Sequence, residues 1–331
     1  MTSKAASTAA PAAIDVPALV AGLITVASWG SAFVAIRAAD RTLSPGSIAL
    51  GRLLVSTAIL GAVALARREP LPAKRDLLLI GVYGIAWLGV YSITLNAGER
   101  LVDAGTAAMI INIGPLLIAI SAGLFLHEGF PRRLLAGSAV AFAGCIVIGV
   151  ATTRSGTRPA LGIALCLVAV LAYTAAVIVQ KPVLTRVNGF QVTWLGCVAG
   201  TLACLPFGPA LVTDASRADP AAFAWVIYLG TVPTALGFAA WAFALGRVSA
   251  GQAAALNYLI PVAAIAGGWA VLAERPSWLA MGGGALCLAG VVIARRPGAS
   301  GQQLPAQDRI RPARRQATAR TGRPGPPSRD D

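Results

Sequence analysis

The sequence predicts an all-α integral membrane protein whose ten transmembrane helices form two inverted five-helix repeats. Three observations carry that expectation. Hydrophobic residues make up 56% of the 331-residue chain and 36 glycines add to them, so about two thirds of the chain is apolar and only 12% is charged; soluble domains are roughly 45–50% apolar. Apolar segments of nearly 20 residues follow one another along the chain. A shift of 146 positions lays one half of the sequence on the other.

At a mean hydropathy of +0.73 the chain has too little polar surface to cover a soluble domain, and its hydrophobicity is the opposite of the disordered signature. A window of about 19 residues places five apolar segments at 17–36, 46–66, 77–97, 104–126 and 134–151. Five more lie at 161–180, 190–212, 221–244, 250–272 and 278–294. Each is long enough, at about 1.5 Å per residue, to cross roughly 30 Å of hydrocarbon as a helix. None alternates in the manner of a barrel strand.

These segments divide the chain into a short tail (1–16), a first repeat (17–151), a connecting loop (152–160), a second repeat (161–295) and a basic tail (296–331). The first segment is too long for a removable signal peptide and lacks a convincing cleavage site, so it is expected to remain as a span. The last 36 residues carry Pro305, Pro312, Pro324, Pro326 and Pro327 among scattered arginines. That composition predicts a solvated, disordered tail. Its arginines would either attract anionic headgroups or, in the simpler reading, help fix topology. Because nine of the 27 Lys/Arg fall between Arg295 and Arg329, much of the net charge of +14 belongs to this tail and does not call for nucleic acid. The five cysteines all lie in apolar segments without a CxxC pair, which indicates neither a disulfide framework nor a zinc site.

Topology follows from the basic residues. With the N-terminus inside, Lys4, the cluster Arg67, Arg68, Lys74 and Arg75, then Arg132, Arg133, Lys181, Arg186, Arg247 and the nine tail arginines face the cytoplasm. Seven arginines face outward: Arg37, Arg41, Arg100, Arg154, Arg158, Arg217 and Arg275. The excess places both termini inside.

The shift of 146 aligns Ala104 with Ala250, Gly105 with Gly251, Pro115 with Pro261 and Glu128 with Glu274, then Gly137 with Gly283 and Gly144 with Gly290, without a gap. Alanine and glycine matches are cheap in so small-residue-rich a chain, but a mid-span proline and a span-ending glutamate in one register are not. Five spans per half is an odd number, so the second half enters the membrane from the opposite side.

Trp29-Gly30-Ser31 with Phe33 in the first span, the helices from Pro115 to Glu128 and from Pro261 to Glu274, and the glycine-bearing helices after them together resemble the drug/metabolite transporter superfamily, EamA type. The resemblance covers roughly 17–295. It implies a bacterial inner-membrane exporter of amino acids and related metabolites. The chain departs from the family pattern in its sixth span, which has Tyr173-Thr174 where a Trp-small pair often recurs.

The residues point to a central site. Proline within a span deletes a backbone hydrogen bond and frees a carbonyl, so helices should bend or break at Pro115 and Pro261. Asn112 lies three residues before the first proline, while Tyr258 and Asn257 lie three and four before the second, which puts polar groups beside both freed carbonyls. The alternative is that each proline kinks a packed helix and each asparagine bonds a neighbour. Trp29, Ser31, Trp87, Tyr91, Tyr173, Thr234 and Trp241 join the expected substrate-binding set. Most of them lie away from the interfacial belt where Trp and Tyr concentrate, and a buried indole or phenol wants a partner; packing between helices is the competing account. Arg52 is the one clear ionisable residue inside a span. It lies about 9 Å from the start of that span at 1.5 Å per residue, where it either reaches the outer headgroups or holds a substrate carboxylate. Glu128 and Glu274 end their spans on opposite sides and read as helix anchors or gate partners, which either hold helix ends or pair with the nearby Arg132, Arg133 or Arg275. Gly137 and Gly144, like Gly283 and Gly290, are seven apart and let helices approach closely.

With no P-loop, HExxH, GxSxG or deep carboxylate pair in the sequence, ATP hydrolysis and intramembrane hydrolysis lack their chemistry. A gradient-driven secondary exporter of small metabolites is therefore expected, with the lipid bilayer and a metabolite as its partners, no cofactor, no metal and no nucleic acid. Import of sugars or nucleotide precursors is the closest rival, and a membrane enzyme or receptor-like scaffold is the rival from another class. Monomer and homodimer are equally compatible with the sequence. Reporter fusions after residues 70 and 300 should both report the cytoplasm, and one near Arg154 the outside. An outside signal from the tail fusion would change the parity of the span map and overturn the inverted repeat.

Overall fold

Polar caps and prolines set where the helices begin. Asn188 accepts from the N–H of Gln191 (2.8 Å), Asp219 from those of Ala221 and Ala222, and Ser249 from that of Gln252 (3.2 Å), which satisfies N–H groups that a helix start otherwise leaves open. Pro45 and Pro220 follow Ser44 and Asp219 in the first helical turn, where the missing N–H of proline is harmless. The computed structural model describes residues 15–39, 42–102, 107, 110–152, 159–272 and 277–295. The residues 1–14, the loop positions 153–158, Glu274 and the basic tail lie outside this set.

Among the described residues the chain is helical and without strands. In order, α1 is Val16–Ala39, α2 Pro45–Arg67, and α3 Lys74–Tyr83, which continues through a π-helical segment Gly84–Tyr91 into α4 Ser92–Glu99. There follow α5 Gly114–Phe125, α6 Arg132–Thr152, α7 Pro159–Val183, α8 Gly189–Cys204 and α9 Gly208–Ala215. Next, α10 Pro220–Leu229 leads through a second π-helical segment Gly230–Leu236 into α11 Gly237–Arg247. Last come α12 Ala250–Ala255, a 3₁₀ turn Leu256–Leu259, α13 Ile260–Leu272 and α14 Trp278–Arg295.

Among the described residues six continuous helical stretches are long and apolar enough to cross a membrane, and four shorter apolar helices accompany them. Each falls on one of the apolar segments read from the sequence. Two of the shorter ones carry a backbone irregularity. The chain turns at Asn112 and Ile113 before α5 and tightens into the 3₁₀ turn before α13, each time next to a proline.

These irregularities obey the register found in the sequence. Gly84, where the first π-helical segment opens, lies 146 positions before Gly230, which opens the second. The start of α5 at Gly114 likewise matches that of α13 at Ile260. Helix α1 packs on α10, α11 and α13, while α7 packs on α3, α4 and α5. The first helix of each half therefore leans on the other half.

Helices α6 and α14 make the tightest crossing. A methyl group added at Gly137 would strike the backbone of Gly290 and Ala294, and one at Gly144 would meet the Gly283 carbonyl. The same 146-residue shift exchanges these two contacts, so the pseudo-two-fold axis passes through this pair. Cys145 and Cys287 meet there with sulfurs 3.6 Å apart. Without a hydrophobic drive between helices in lipid, such backbone contact supplies the packing. On the same helix Gly282 has open space around it. Gly290→Ala should therefore destabilise the solubilised protein by about 1–3 kcal/mol, whereas Gly282→Ala should hold or raise its unfolding temperature because alanine is the better helix former. Equal behaviour of the two variants would contradict the crossing.

Candidate functional site

A π-helical turn carries one extra residue and leaves carbonyls without their ordinary partner, so the two such segments must find donors elsewhere. In the second one, Pro233 removes a further N–H. The first half of the chain supplies the donors: Trp29 Nε1 donates to the Pro233 carbonyl (3.1 Å), and Thr25 Oγ1 donates to that of Gly237 (3.3 Å). Thr234 Oγ1 donates to the Leu229 carbonyl five residues back (2.7 Å) and accepts from Arg52 Nε (2.9 Å). Arg52 thus turns into the bundle rather than out to the headgroups, and no other hydrogen bond of its guanidinium forms among the described residues.

The first π-helical segment brings aromatic rings to the centre. Trp87 is the hub, with ring centroids 5.6 Å from Trp29, 6.0 Å from Tyr83, 4.8 Å from Tyr173, 5.0 Å from Phe238 and 5.6 Å from Trp241. Its contacts with Tyr83, Phe238 and Trp241 are edge-to-face, the geometry that the ring quadrupoles favour, worth roughly 0.5–1.5 kcal/mol per pair beyond burial. Tyr91 extends the group through Tyr173 at 5.9 Å. Trp87 and Trp241 are only 2% and 1% exposed, so the rings fill the centre and do not line a wide chamber.

The polar ends of the rings are tied individually. Trp241 Nε1 donates to Gln180 Oε1 at 3.1 Å, and Asn257 Nδ2 donates to the Tyr173 hydroxyl at 2.6 Å. Gln180 lies beside Tyr83, yet the Tyr83 hydroxyl and Gln180 Nε2 close no hydrogen bond of good geometry, and Asn257 Oδ1 also lacks one. Three buried polar atoms around the cluster therefore remain open, a state that normally costs stability. Tyr173 lies flat against Gly114, where any side chain would meet its ring.

Of the residues singled out by sequence, ring contacts gather Trp29, Trp87, Tyr91, Tyr173 and Trp241. Hydrogen bonds attach Thr234 to Arg52 and Asn257 to Tyr173. Ser31 sits at the edge, where Tyr228 donates to it at 2.7 Å. Asn112 is buried at the turn before α5, with Pro115 in the first turn of that helix, and Pro261 follows Ile260 at the start of α13. Tyr258 lies within electrostatic reach of Tyr173 but outside the ring cluster. It packs with Val26, Cys145 and Cys287 beside the α6 and α14 crossing, its hydroxyl near the Leu116 backbone without a well-formed bond. Tyr83, Phe238, Gln180 and Pro233 were not singled out. Tyr83 could have been, because it precedes Trp87 and Tyr91 at four-residue spacing, and Gln180 stands seven after Tyr173 on one face.

A separate polar group closes one end of the bundle. Both carboxylate oxygens of Glu128 accept from the Ala250 N–H, at 2.9 and 2.8 Å. Glu128 therefore holds the start of α12; its counterpart Glu274 lies outside the described residues. Lys181 donates to the Leu245 and Val248 carbonyls and lies within electrostatic reach of Glu128. Nearby, Asp15 accepts from Arg247 Nε at 3.0 Å. The N–H of Ala18, and after it Arg247, holds the Asp15 carboxyl below its usual value.

This arrangement has relatives. A probable terminal-alkyne amino-acid exporter of Streptantibioticus cattleyicolor is 36% identical over 83% of this chain and 92% of its own length. A probable amino-acid metabolite efflux pump of Escherichia coli is 26% identical over 83% of this chain and 93% of its own. A protein of known crystal structure, 18% identical, shares the fold with a TM-score of 0.68 over 84% of this chain and 96% of that one. The EamA-like transporter family matches twice, at residues 16–150 and 160–296. Those two matches take in most of the sequence, and with the run of apolar helices they settle its place: the chain belongs to the EamA-like transporter family, as a multi-pass membrane transporter.

Proposed function

We propose that the protein exports small amphipathic metabolites that bear a carboxylate, amino acids above all, across the bacterial inner membrane by gradient-driven alternating access. The observation that carries this reading is Arg52 at the aromatic cluster. Its neighbours Tyr91, Cys197 and Cys204 are neutral, so among the described residues the cation has no counter-ion, an expensive state inside a membrane. A substrate carboxylate would neutralise it with a charge-assisted hydrogen bond, while the rings of Trp29, Trp87, Tyr173 and Trp241 accept the apolar remainder. Asn112, Ser31, Thr234 and Asn257 supply polar contacts around them, and the breaks beside Pro115 and Pro261 serve as hinges. The two relatives named for amino-acid export support the substrate class. Phosphorylated substrates fit less well, since phosphate calls for several cations and, among the described residues, Arg52 is the one cation hydrogen-bonded beside the aromatic cluster. The two halves, 17–151 and 161–295, rock about the α6 and α14 crossing with both termini in the cytoplasm.

Efflux of radiolabelled amino acids from preloaded proteoliposomes tests the reading. Arg52→Gln should lower kcat/KM at least tenfold at unchanged expression and unfolding temperature, with partial recovery in Arg52→Lys. Trp87→Phe should reduce transport less than Trp87→Ala, which also removes the hub and costs about 3–5 kcal/mol of stability. Tyr258→Phe should transport normally, since its hydroxyl faces the scaffold. Wild-type transport by Arg52→Gln would refute the carboxylate site.

Glu128 is read as a structural anchor. Glu128→Gln should keep the dependence of transport on pH between 6 and 8 while lowering stability by about 1 kcal/mol, the scale of a capping interaction. Loss of proton-driven accumulation with downhill exchange preserved would instead make Glu128 the coupling group.

A further inference from the structure

A groove of about 380 Å³ lies between the end of α2 and the start of α8, lined among others by Leu65, Arg68, Leu71, Phe190, Gln191 and Trp194. Leu65 and Leu71 are 75% and 65% exposed, so the groove opens away from the bundle. It stands where helices end, with aromatic side chains on one wall, the place and composition of the border between hydrocarbon and headgroups.

Most of its polar groups are already committed. The Arg67 guanidinium lies 4.6 Å over the Phe190 ring and 3.9 Å from Glu69. The other Glu69 oxygen accepts from Asn188 Nδ2 at 2.7 Å, and Gln191 Nε2 donates to the Pro70 carbonyl at 2.7 Å. The one acid in the groove is thereby neutralised. Arg68 is different: its backbone N–H caps α2 at the Ala64 carbonyl, but its side chain forms no ion pair or hydrogen bond among the described residues. Its φ of 50° is the left-handed position that closes helices and ordinarily takes glycine or asparagine. A guanidinium thus occupies a site where a smaller residue would fold more readily. Lys74 and Arg75 are exposed close by in sequence, whereas the neighbouring Asp76 is consumed by Arg186 at 2.6 Å.

We propose that this groove binds one anionic phospholipid, its phosphate on Arg68 and the head of an acyl chain against Leu65, Leu71 and Trp194. The charge selects an anionic headgroup, and the apolar lining selects a lipid over free phosphate. The test uses the full chain purified in a neutral detergent and titrated separately with dioleoylphosphatidylglycerol, dioleoylphosphatidylcholine and inorganic phosphate, with adducts counted by native mass spectrometry. Phosphatidylglycerol should bind at least tenfold tighter than phosphatidylcholine, and phosphate should leave no adduct. Arg68→Gly and Arg68→Asn, which suit the left-handed backbone, should abolish most of that preference. Arg132→Gln, which removes an equal charge from an exposed position at the start of α6, should retain it. Equal binding of the two lipids, equal weakening by the Arg68 and Arg132 variants, or phosphate binding as tight as lipid would each overturn the site.

Discussion

In hydrocarbon no water is available to satisfy a backbone group that a helix leaves open, and the architecture depends on how this chain meets that constraint. Its helices are irregular at the centre, in two π-helical segments and at two breaks beside prolines. The second π-helical segment is satisfied by Thr25, Trp29 and, through Thr234, Arg52, all from the other half of the chain. Hydrogen bonds that repair one half are thus contacts between halves. Trp29, the ring that takes part in the repair, belongs to the aromatic cluster centred on Trp87.

The repair is not symmetric although the backbone is. The first π-helical segment is approached by glycines instead: Gly196 and Gly200 on α8 lie so close that a side chain at either would strike Tyr83 or Leu88. This difference accompanies the absence of a Trp-small pair in the sixth span, where Tyr173 bonds Asn257 within its own half. One half holds its partner by hydrogen bonds and the other by close packing. The α6 and α14 crossing stays symmetric, as expected of elements on the axis, and its glycine contacts suit it to remain fixed while other helices shift.

The repeat was legible because proline and glutamate are rare enough in an apolar chain to make a register meaningful, and the π-helical segments keep that register. The prolines announced the breaks, since a missing N–H has the same effect in any span. The direction of side chains was less readable. Asn257 and Tyr258 are adjacent and were placed together, but the 3₁₀ turn sends one to Tyr173 and the other toward Cys145. Arg52 was left between two orientations because sequence does not reveal Thr234 as its acceptor. Glu128 reaches a backbone N–H 122 residues away, a partner that no local charge pattern can name. The π-helical segments themselves left no mark that periodicity detects.

The aromatic cluster and Arg52 form the proposed substrate site. The most direct measurement is the position of bound substrate, by electron cryo-microscopy of the protein in nanodiscs with a saturating exported amino acid. Density for the carboxylate is expected within hydrogen-bonding distance of Arg52, and for the side chain against Trp87. Density lodged between α6 and α14, or with its carboxylate on any other group, would contradict this placement.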